Sequence, residues 1–260
     1  MRRYVDHVMG MPVSLALRGR HEAAGAAWQH VMASLRRADR IFSTYREESF
    51  IRRLDRGQVS LEQCPPEVAE VLALGRAANV ASEGAFSIWR PGLDPAGVVK
   101  GWAVERAAEH LRGLPDTDFC LSAGGDMVCH AVETPWRVGI EDPLDPRRLV
   151  ATVAVTQGAV ATSGTAHRGR HLVDARDGSV PQGVASVTVI GPTLTWADID
   201  ATAAYALGER AAAWLSTRPL RNALVVWADG TSTRVVGPAA RTRPHRHWCP
   251  RGDSNTRHAV

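Results

Sequence analysis

The sequence contains almost no lysine. Lysine and arginine together number 31 of its 260 residues, and Lys100 is the only lysine among them. An ammonium group is a compact point charge, whereas a guanidinium is a planar fork, so the two are not interchangeable at a binding site. A chain that uses arginine elsewhere and keeps lysine at one position makes Lys100 a candidate functional residue.

Three further absences exclude classes of protein. No run of 18 apolar residues occurs, so no membrane-spanning helix is expected. The first 22 residues lack the apolar segment of a signal peptide, and the four cysteines follow no CxxC or metal-type spacing. We therefore expect free thiols and a cytoplasmic protein, unless the true start lies upstream and carries an export signal. No GxGxxG follows a predicted strand and no GxxxxGK(S/T) occurs, which excludes Rossmann and P-loop phosphate sites.

The positive charge of the chain is concentrated at one end. The formal net charge is +4, yet residues 238–260 alone hold five arginines and one aspartate. This segment has no apolar period and is rich in Arg, Pro and His, so we predict a disordered basic tail after a single domain over residues 1–237. The rest is near neutral, which argues against a nucleic-acid-binding protein.

Apolar periodicity predicts an α+β fold with mostly antiparallel sheets and packed helices. Helices are predicted over residues 23–45, 65–85, 99–114 and 195–208. Strands are predicted in segments 8–19, 119–131, 136–143, 149–164, 184–191 and 222–237, and a short strand running into a turn is predicted over 171–183. The strands come in runs with helices between the runs, which disfavours a doubly wound sheet.

The segment around Lys100, LDPAGVVKGWAVERAAEHL, has the features of a helix start that binds an anion. Asp94 is a suitable cap, and Gly97 and Gly101 flank the lysine in the first turns. Glycine is unfavourable inside a helix, so two of them indicate close approach of another group. A helix N-terminus beside an ammonium suits an anionic ligand. A capped surface helix with a solvated lysine remains the alternative.

The segment TWADIDATAAYALG places Asp198 and Thr202 four residues apart, on one helical face. A carboxylate with a hydroxyl forms part of a hard-oxygen ligand set that suits Mg²⁺. The alternative is structural, because Thr195 and Asp198 also have the spacing of a capping box.

Two other segments are less specific. His171 lies among arginines and aspartates in HRGRHLVDARDG, where it is either structural or an acid–base group. The segment SAGGDM, residues 122–127, has the composition of a tight turn between strands, and as a phosphate loop it is a weak candidate.

The order of eight segments resembles the ApbE family, the FAD:protein FMN transferases. The resemblance runs from about residue 8 to 236. Its segments are MGMPVSL, FSTYREESFIRRL, GAF, LDPAGVVKGWAVERA, SAGGDM, WRVGIEDP, ATSGTAHRGRHLVDARDG and SVTVIGPTLTWADIDATAAYALG. It implies two intertwined subdomains with FAD held in a cleft between them.

The resemblance also implies roles for individual residues. Contacts with FAD are implied for Met9, Ala85, Phe86, Ser87, Asp94, Lys100 and Val173, with Lys100 near the phosphates or the adenosine. Mg²⁺ is expected on Asp198, Thr202 and a backbone carbonyl near Gly97. His171 and Asp198 are the implied catalytic groups.

The implied reaction transfers FMN from FAD to a Thr or Ser hydroxyl of an acceptor protein, either an FMN-binding domain or a redox-pump subunit. Two alternatives use the same residues: Mg²⁺-dependent hydrolysis of FAD to FMN and AMP, and non-catalytic flavin binding. The sequence does not choose the general base, which is either His171 or a metal-held carboxylate.

Overall fold

The structure is a computed structural model, and it describes residues 1–20, 22–89, 92–164 and 172–239. His171 and the predicted tail from residue 240 onward lie outside the described residues. No helix in the described part of the chain is long and apolar enough to cross a membrane.

Within the described residues, ten strands form two antiparallel sheets. They are β1 Arg2–Val8, β2 Met11–Gly19, β3 Thr117–Ala123, β4 Asp126–His130, β5 Trp136–Asp142, β6 Asp145–Val155, β7 Gln157–Gly164, β8 Val184–Gly191, β9 Asn222–Trp227 and β10 Ser232–Val236. Eight of them make one sheet in the order β1-β2-β3-β4-β7-β8-β9-β10, and β5 pairs with β6 as a separate hairpin. The order follows the chain apart from this hairpin, so the sheet is a meander interrupted by an insertion after β2, by the hairpin and by the helices after β8.

Helices occupy the first insertion and the connections near the end of the chain. They are α1 Ala24–Phe42, α2 Phe50–Asp55, α3 Pro66–Ala81, α4 Ala96–Arg112, α5 Leu194–Ala206 and α6 Ala211–Leu215. The insertion between β2 and β3 holds α1 to α4, and α4 packs between α1 and α5.

The main core lies between these helices and one face of the large sheet. On α1, Val31, Leu35 and Ala38 recur at helical spacing and are buried. On β3 and β4, Leu121 and Val128 pair in register and point into the same apolar cluster. Alternation of side chains then sends their neighbours to the opposite face.

The β5–β6 hairpin covers that opposite face. Val138 and Val155 of the hairpin pack against Cys129 and Val160 of the large sheet. Ile140 reaches a second apolar cluster farther along the hairpin. The sheet is thus enclosed by helices on one side and partly by the hairpin on the other.

The predicted α+β class with antiparallel sheets is confirmed, and the predicted helices and most of the strands occur near their predicted positions. The prediction of a short strand from residue 171 is wrong over residues 172–174, where the backbone is irregular. There the amide of Asp174 binds the carbonyl of Ser179, and the amide of Ala175 binds the carbonyl of Ala85. These bonds close a local turn and attach the segment to the loop after α3.

Candidate functional site

Lys100 lies between two buried carboxylates. Its Nζ atom is 2.6 Å from Oδ2 of Asp126 and 3.1 Å from Oδ1 of Asp198. The two aspartates are 1% and 2% exposed. A capped surface helix with a solvated lysine is therefore excluded, because the ammonium group is committed to a buried ion-pair cluster.

Asp126 enters this cluster from the large sheet. It is the first residue of β4, directly after the turn at Gly124 and Gly125, which both have positive φ. Its Oδ1 atom accepts the backbone N–H of Thr162 on β7 at 3.1 Å. The predicted turn in SAGGDM is present, and it also delivers a carboxylate to the inner face of the sheet.

Asp198 enters the cluster from α5, where Gly101 allows a close approach to α4. The N–H of Gly101 donates to Oδ2 of Asp198 at 3.0 Å. A Cβ atom on Gly101 would lie 2.9 Å from Cβ of Asp198 and 2.9 Å from the carbonyl oxygen of Leu194. The group predicted to approach Gly101 is therefore the neighbouring helix. At Gly97 it is Phe86, whose ring would lie 2.9 Å from an added Cβ.

The capping-box alternative for Asp198 is excluded by the same contacts. Helix α5 begins at Leu194 without a side-chain cap from its own N-cap residue, Thr193. Its first amide, that of Leu194, instead donates to the carboxylate of Glu105 on α4. Asp198 is thus free to act in the cluster, since a carboxylate from another helix caps α5.

The cluster carries more negative than positive charge. Burial raises the pKa of Asp198 to about 7, and Asp126 adds to this effect while Lys100 opposes it. Burial acts to lower the pKa of Lys100, but Asp198 and Asp126 outweigh it and leave the pKa above its ordinary value. Two carboxylates share one ammonium, and an uncompensated buried charge is costly. The cluster therefore favours a further cation or a proton.

Gly97, Lys100, Asp198 and Thr202 line one cavity of about 350 Å³. Thr202 lies one turn after Asp198 on α5, and its Oγ1 is 3.0 Å from Oγ of Ser163 on β7. Residues of the β5–β6 hairpin form another part of the wall. The three residues predicted to bind a metal are thus brought together with the lysine.

The donor set of this cavity fits Mg²⁺. A carboxylate, a hydroxyl and a backbone carbonyl are hard oxygen ligands, and Mg²⁺ uses few protein ligands and keeps several waters or phosphates. The described residues contain no group of three or more His, Cys, Asp or Glu side chains suited to a metal. The predicted set has only one such side chain. Ser186 also lines the cavity, and its buried Oγ has no hydrogen-bond partner within the described residues.

A second cavity of about 650 Å³ also reaches Lys100. Met9, Tyr45 and Lys100 line it, and the two cavities share Ala96 and Lys100. Met9 and Gly10 form the two-residue turn between β1 and β2, with φ of 55° and 69°. A methionine in this left-handed region is strained, and such strain is often found at binding sites.

The other predicted flavin contacts are less directly placed. Asp94 accepts the N–H of Ala96 at 3.0 Å and so caps the start of α4. Val173 is 43% exposed, and its neighbour Leu172 lines the smaller cavity. Their contacts with FAD remain predictions.

The GAF segment supports the start of α4. Ala85 and Phe86 are buried, and the N–H of Phe86 donates to Oγ of Ser82 at 2.9 Å. Ser87 accepts the N–H of Trp89 at 3.1 Å. The described residues that line the two cavities do not include Ala85, Phe86 or Ser87. Their predicted roles in FAD binding stay open.

Sequence reasoning did not single out two residues of this site. Asp126 occupies an inward-facing position of β4, two residues before Val128, and a carboxylate at such a position is the signal that could have identified it. Tyr45 is 96% exposed at the edge of the larger cavity. An exposed aromatic side chain beside a cavity is suited to contact a ring of a ligand.

Comparisons with known proteins identify the family of this chain. The profile of the ApbE family matches residues 9–91 and 89–225. Three curated relatives bear the name FAD:protein FMN transferase. The Haemophilus influenzae protein is 28% identical over 131 residues, 45% of this chain and 38% of the relative. The Rhodobacter capsulatus protein is 32% identical over 128 residues, which cover 45% of this chain and 24% of the relative. The Escherichia coli K12 protein is 27% identical over 156 residues, which cover 55% of this chain and 44% of the relative. Each alignment thus spans less than half of the relative's length.

Solved structures show the same fold. The ApbE protein of Thermotoga maritima has a TM-score of 0.78 at 20% identity, covering 90% of this chain and 96% of that one. The apo flavinyl transferase ApbE of Pseudomonas stutzeri has a TM-score of 0.77 at 22% identity, covering 90% and 94%. With the profile match over most of its length, the chain belongs to the ApbE family.

Proposed function

We propose that this chain is an FAD:protein FMN transferase, which moves FMN from FAD to a Thr or Ser hydroxyl of an acceptor protein and releases AMP. The observation that carries this proposal is the position of Lys100, at the junction of two cavities and beside Asp126 and Asp198. FAD consists of two nucleotides joined by a diphosphate. A dinucleotide that spans both cavities would place its diphosphate beside the lysine.

Lys100 can bind the diphosphate without leaving its partners. An ammonium group has three N–H donors, and the two aspartates engage two of them. The third is available to a phosphate oxygen. The first turn of α4 adds the N–H of Gly97 and the positive end of the helix dipole at the same place.

Asp198, Thr202 and the carbonyl of Gly97 would hold Mg²⁺ in the smaller cavity. Bound there, the ion would neutralise charge on the diphosphate and on the leaving phosphate. The excess of carboxylate over ammonium in the cluster supports this assignment, because the site attracts a cation before any substrate binds.

The reaction is a phosphoryl transfer. The acceptor's hydroxyl oxygen forms a bond to the flavin-side phosphorus, and the bond from that phosphorus to the bridging oxygen breaks, so AMP leaves with that oxygen. The hydroxyl proton passes to a base. The two candidates for this base are His171, outside the described residues, and a carboxylate held by the metal, such as Asp198.

The test is covalent flavinylation of an acceptor domain. The full chain is incubated with FAD, MgCl₂ and a domain that carries a Thr or Ser acceptor site, and mass spectrometry measures the mass of that domain while chromatography measures AMP. We expect an FMN adduct on the acceptor and an equal amount of AMP. Free FMN without an adduct would instead establish hydrolysis, and bound FAD without AMP would establish passive binding.

Two variants link the reaction to the site. Asp198→Ala should abolish Mg²⁺-dependent transfer, and Lys100→Ala should weaken FAD binding, because each removes one charge of the cluster. Asp229→Ala, in the exposed turn between β9 and β10, is the control and should behave like the wild type. Full transfer by the Asp198 variant would refute the metal assignment, and unchanged FAD affinity of the Lys100 variant would refute the diphosphate contact.

A further inference from the structure

We propose that Asp126 is a positioning residue for this reaction: it keeps the ammonium group of Lys100 at the junction of the two cavities when Asp198 is engaged by a cation. The proposal rests on the proposed function. Asp126 is the nearer of the two partners, with 2.6 Å to Nζ against 3.1 Å for Asp198.

Asp126 is itself fixed by the sheet. One carboxylate oxygen accepts the N–H of Thr162 on the neighbouring strand β7, and the other contacts Lys100. Its side chain is almost completely buried, at the first position of β4. A carboxylate held by a backbone amide and by burial has few alternative rotamers, so it provides a rigid anchor for the flexible lysine side chain.

Asp126 acts through Lys100 rather than on the substrate. Its neighbours Gly124, Gly125 and Met127 line the smaller cavity, but Asp126 is not among the described residues that line either cavity. A ligand in the cavities would meet the lysine and not this carboxylate. Its effect is therefore on where the ammonium lies.

Asp198 cannot provide this anchor alone. Its Oδ2 already accepts the N–H of Gly101, and its Oδ1 faces Lys100. A divalent cation bound to the carboxylate would repel the ammonium beside it. Asp126 then supplies the attraction that keeps Lys100 near the diphosphate.

Because Lys100 is the only lysine, its exposure can be measured directly. The full chain is reductively methylated with formaldehyde and cyanoborohydride, and peptide mass spectrometry follows dimethylation of Lys100, with the N-terminal amine as internal reference. Rates are compared for the wild type, Asp126→Asn and the control Asp200→Asn, each with and without MgCl₂. Asp200 is a matched control, because it is fully buried and its ion pairs are with Arg218 and Arg221 rather than with Lys100.

We expect the wild type and Asp200→Asn to protect Lys100 in both conditions. In Asp126→Asn, saturating Mg²⁺ should raise the rate roughly tenfold, because the variant loses the ion pair that holds Lys100. An equal rate in Asp126→Asn and the wild type with Mg²⁺ would overturn the proposal, as would an equal rise in Asp200→Asn. Asp126→Glu retains the charge and should restore protection. Should Asp126→Asn lose its near-ultraviolet circular dichroism spectrum, Asp126→Ser is measured under the same criteria.

Methylation needs no turnover, so its result is independent of whether flavin transfer occurs. Where transfer is observed, Asp126→Asn should raise KM for FAD, and Asp126→Glu should recover part of the loss. If methylation of Lys100 follows the expected pattern but the wild type transfers no FMN, the positioning role stands and the transferase proposal is refuted. If Lys100 is methylated equally fast in Asp200→Asn and flavin transfer is normal, the transferase proposal stands and the positioning role is refuted.

Discussion

At the scale of single residues, Gly101 determines whether the ion-pair cluster can form. An added methyl group would meet the Cβ of Asp198 and the backbone of Leu194 at 2.9 Å, and backbone cannot move as freely as a side-chain end. We expect Gly101→Ala to destabilise the protein by about 1–3 kcal/mol, measured by urea denaturation. It should also weaken FAD binding, because α4 and α5 must separate.

Gly113→Ala is the matched control for this prediction. Gly113 ends the same helix with φ of −81°, and an added Cβ there would meet no atom within 4 Å. Its stability should equal or exceed that of the wild type. Equal stabilities of the two alanine variants would contradict close packing at Gly101.

Met9 combines backbone strain with a position in the larger cavity. Asparagine tolerates the left-handed region better, so Met9→Asn should stabilise the turn by about 1 kcal/mol. It should also bind FAD more weakly, because an apolar contact is replaced by an amide. Thermal melting and FAD titration measure the two effects.

Leu220→Asn is the control for Met9→Asn, because it relieves backbone strain at a position away from the cavities. Leu220 also has a positive φ, 60°, and does not line either cavity in the described part of the chain. This variant should gain stability without a change in FAD affinity. Unaltered FAD affinity in Met9→Asn would show that the methionine contributes nothing to binding.

The sequence marks Lys100, Asp198 and Thr202 as candidates because each stands out locally: one is a solitary residue type, and the other two share a helical face. It did not reveal that Lys100 contacts Asp126. That contact joins a helix of the insertion to a strand of the meander, and no local period encodes such a pairing. Asp126 directly follows two glycines, so its surroundings have the composition of a tight turn and do not set it apart as a functional residue.

At the scale of elements, α1 and α3 are joined by an ion pair between Arg37 and Glu67. The hydrogen bond from Arg37 lowers the pKa of Glu67 below its ordinary value. The pair therefore stabilises the fold above the unfolded-state pKa of about 4.3, and this contribution is lost as pH falls through the lower folded-state pKa. Glu67→Gln should cost about 0.5 kcal/mol at neutral pH, since Arg37 is largely exposed.

Urea denaturation at neutral pH and at about pH 3 tests this pair, the lower value lying below the ordinary glutamate pKa. The difference between Glu67→Gln and the wild type should shrink in acid. Glu133→Gln, in the exposed loop between β4 and β5, should match the wild type at both values. A difference that grows in acid would contradict the sign of the pKa shift.

Elements were easier to predict than their ends. The apolar residues along one face of α1 predicted that helix, and Pro66 predicted the start of α3. A local capping box of Thr195 and Asp198 was one of two alternatives for the start of α5, but Glu105 provides the cap from α4. A cap that comes from another helix leaves no signal beside the helix it caps, so local rules fail there.

At the scale of the whole molecule, the predicted boundary between domain and basic tail can be tested by truncation. The carbonyl of Pro238 accepts the N–H of Leu220, so contacts with the domain extend to residue 238. A chain that ends at Ala239 loses five arginines and one aspartate. We expect an unchanged melting temperature and FAD affinity, and weaker retention on a heparin column. A large fall in melting temperature would show that the segment belongs to the domain.

The connection between β2 and β3 has a consequence for the order of folding. These strands pair directly, yet the insertion between them contains α1 to α4 and with them Lys100, whereas Asp126 and Asp198 belong to the part of the chain that follows. Strand pairs that are close in sequence close quickly, and a pair separated by a long insertion closes slowly. Lys100 is 26 residues from Asp126 along the chain, whereas Asp198 is 72 residues from it, so the lysine and Asp126 are expected to meet first. Docking of α5 then brings the second carboxylate to an ammonium group that the first already holds.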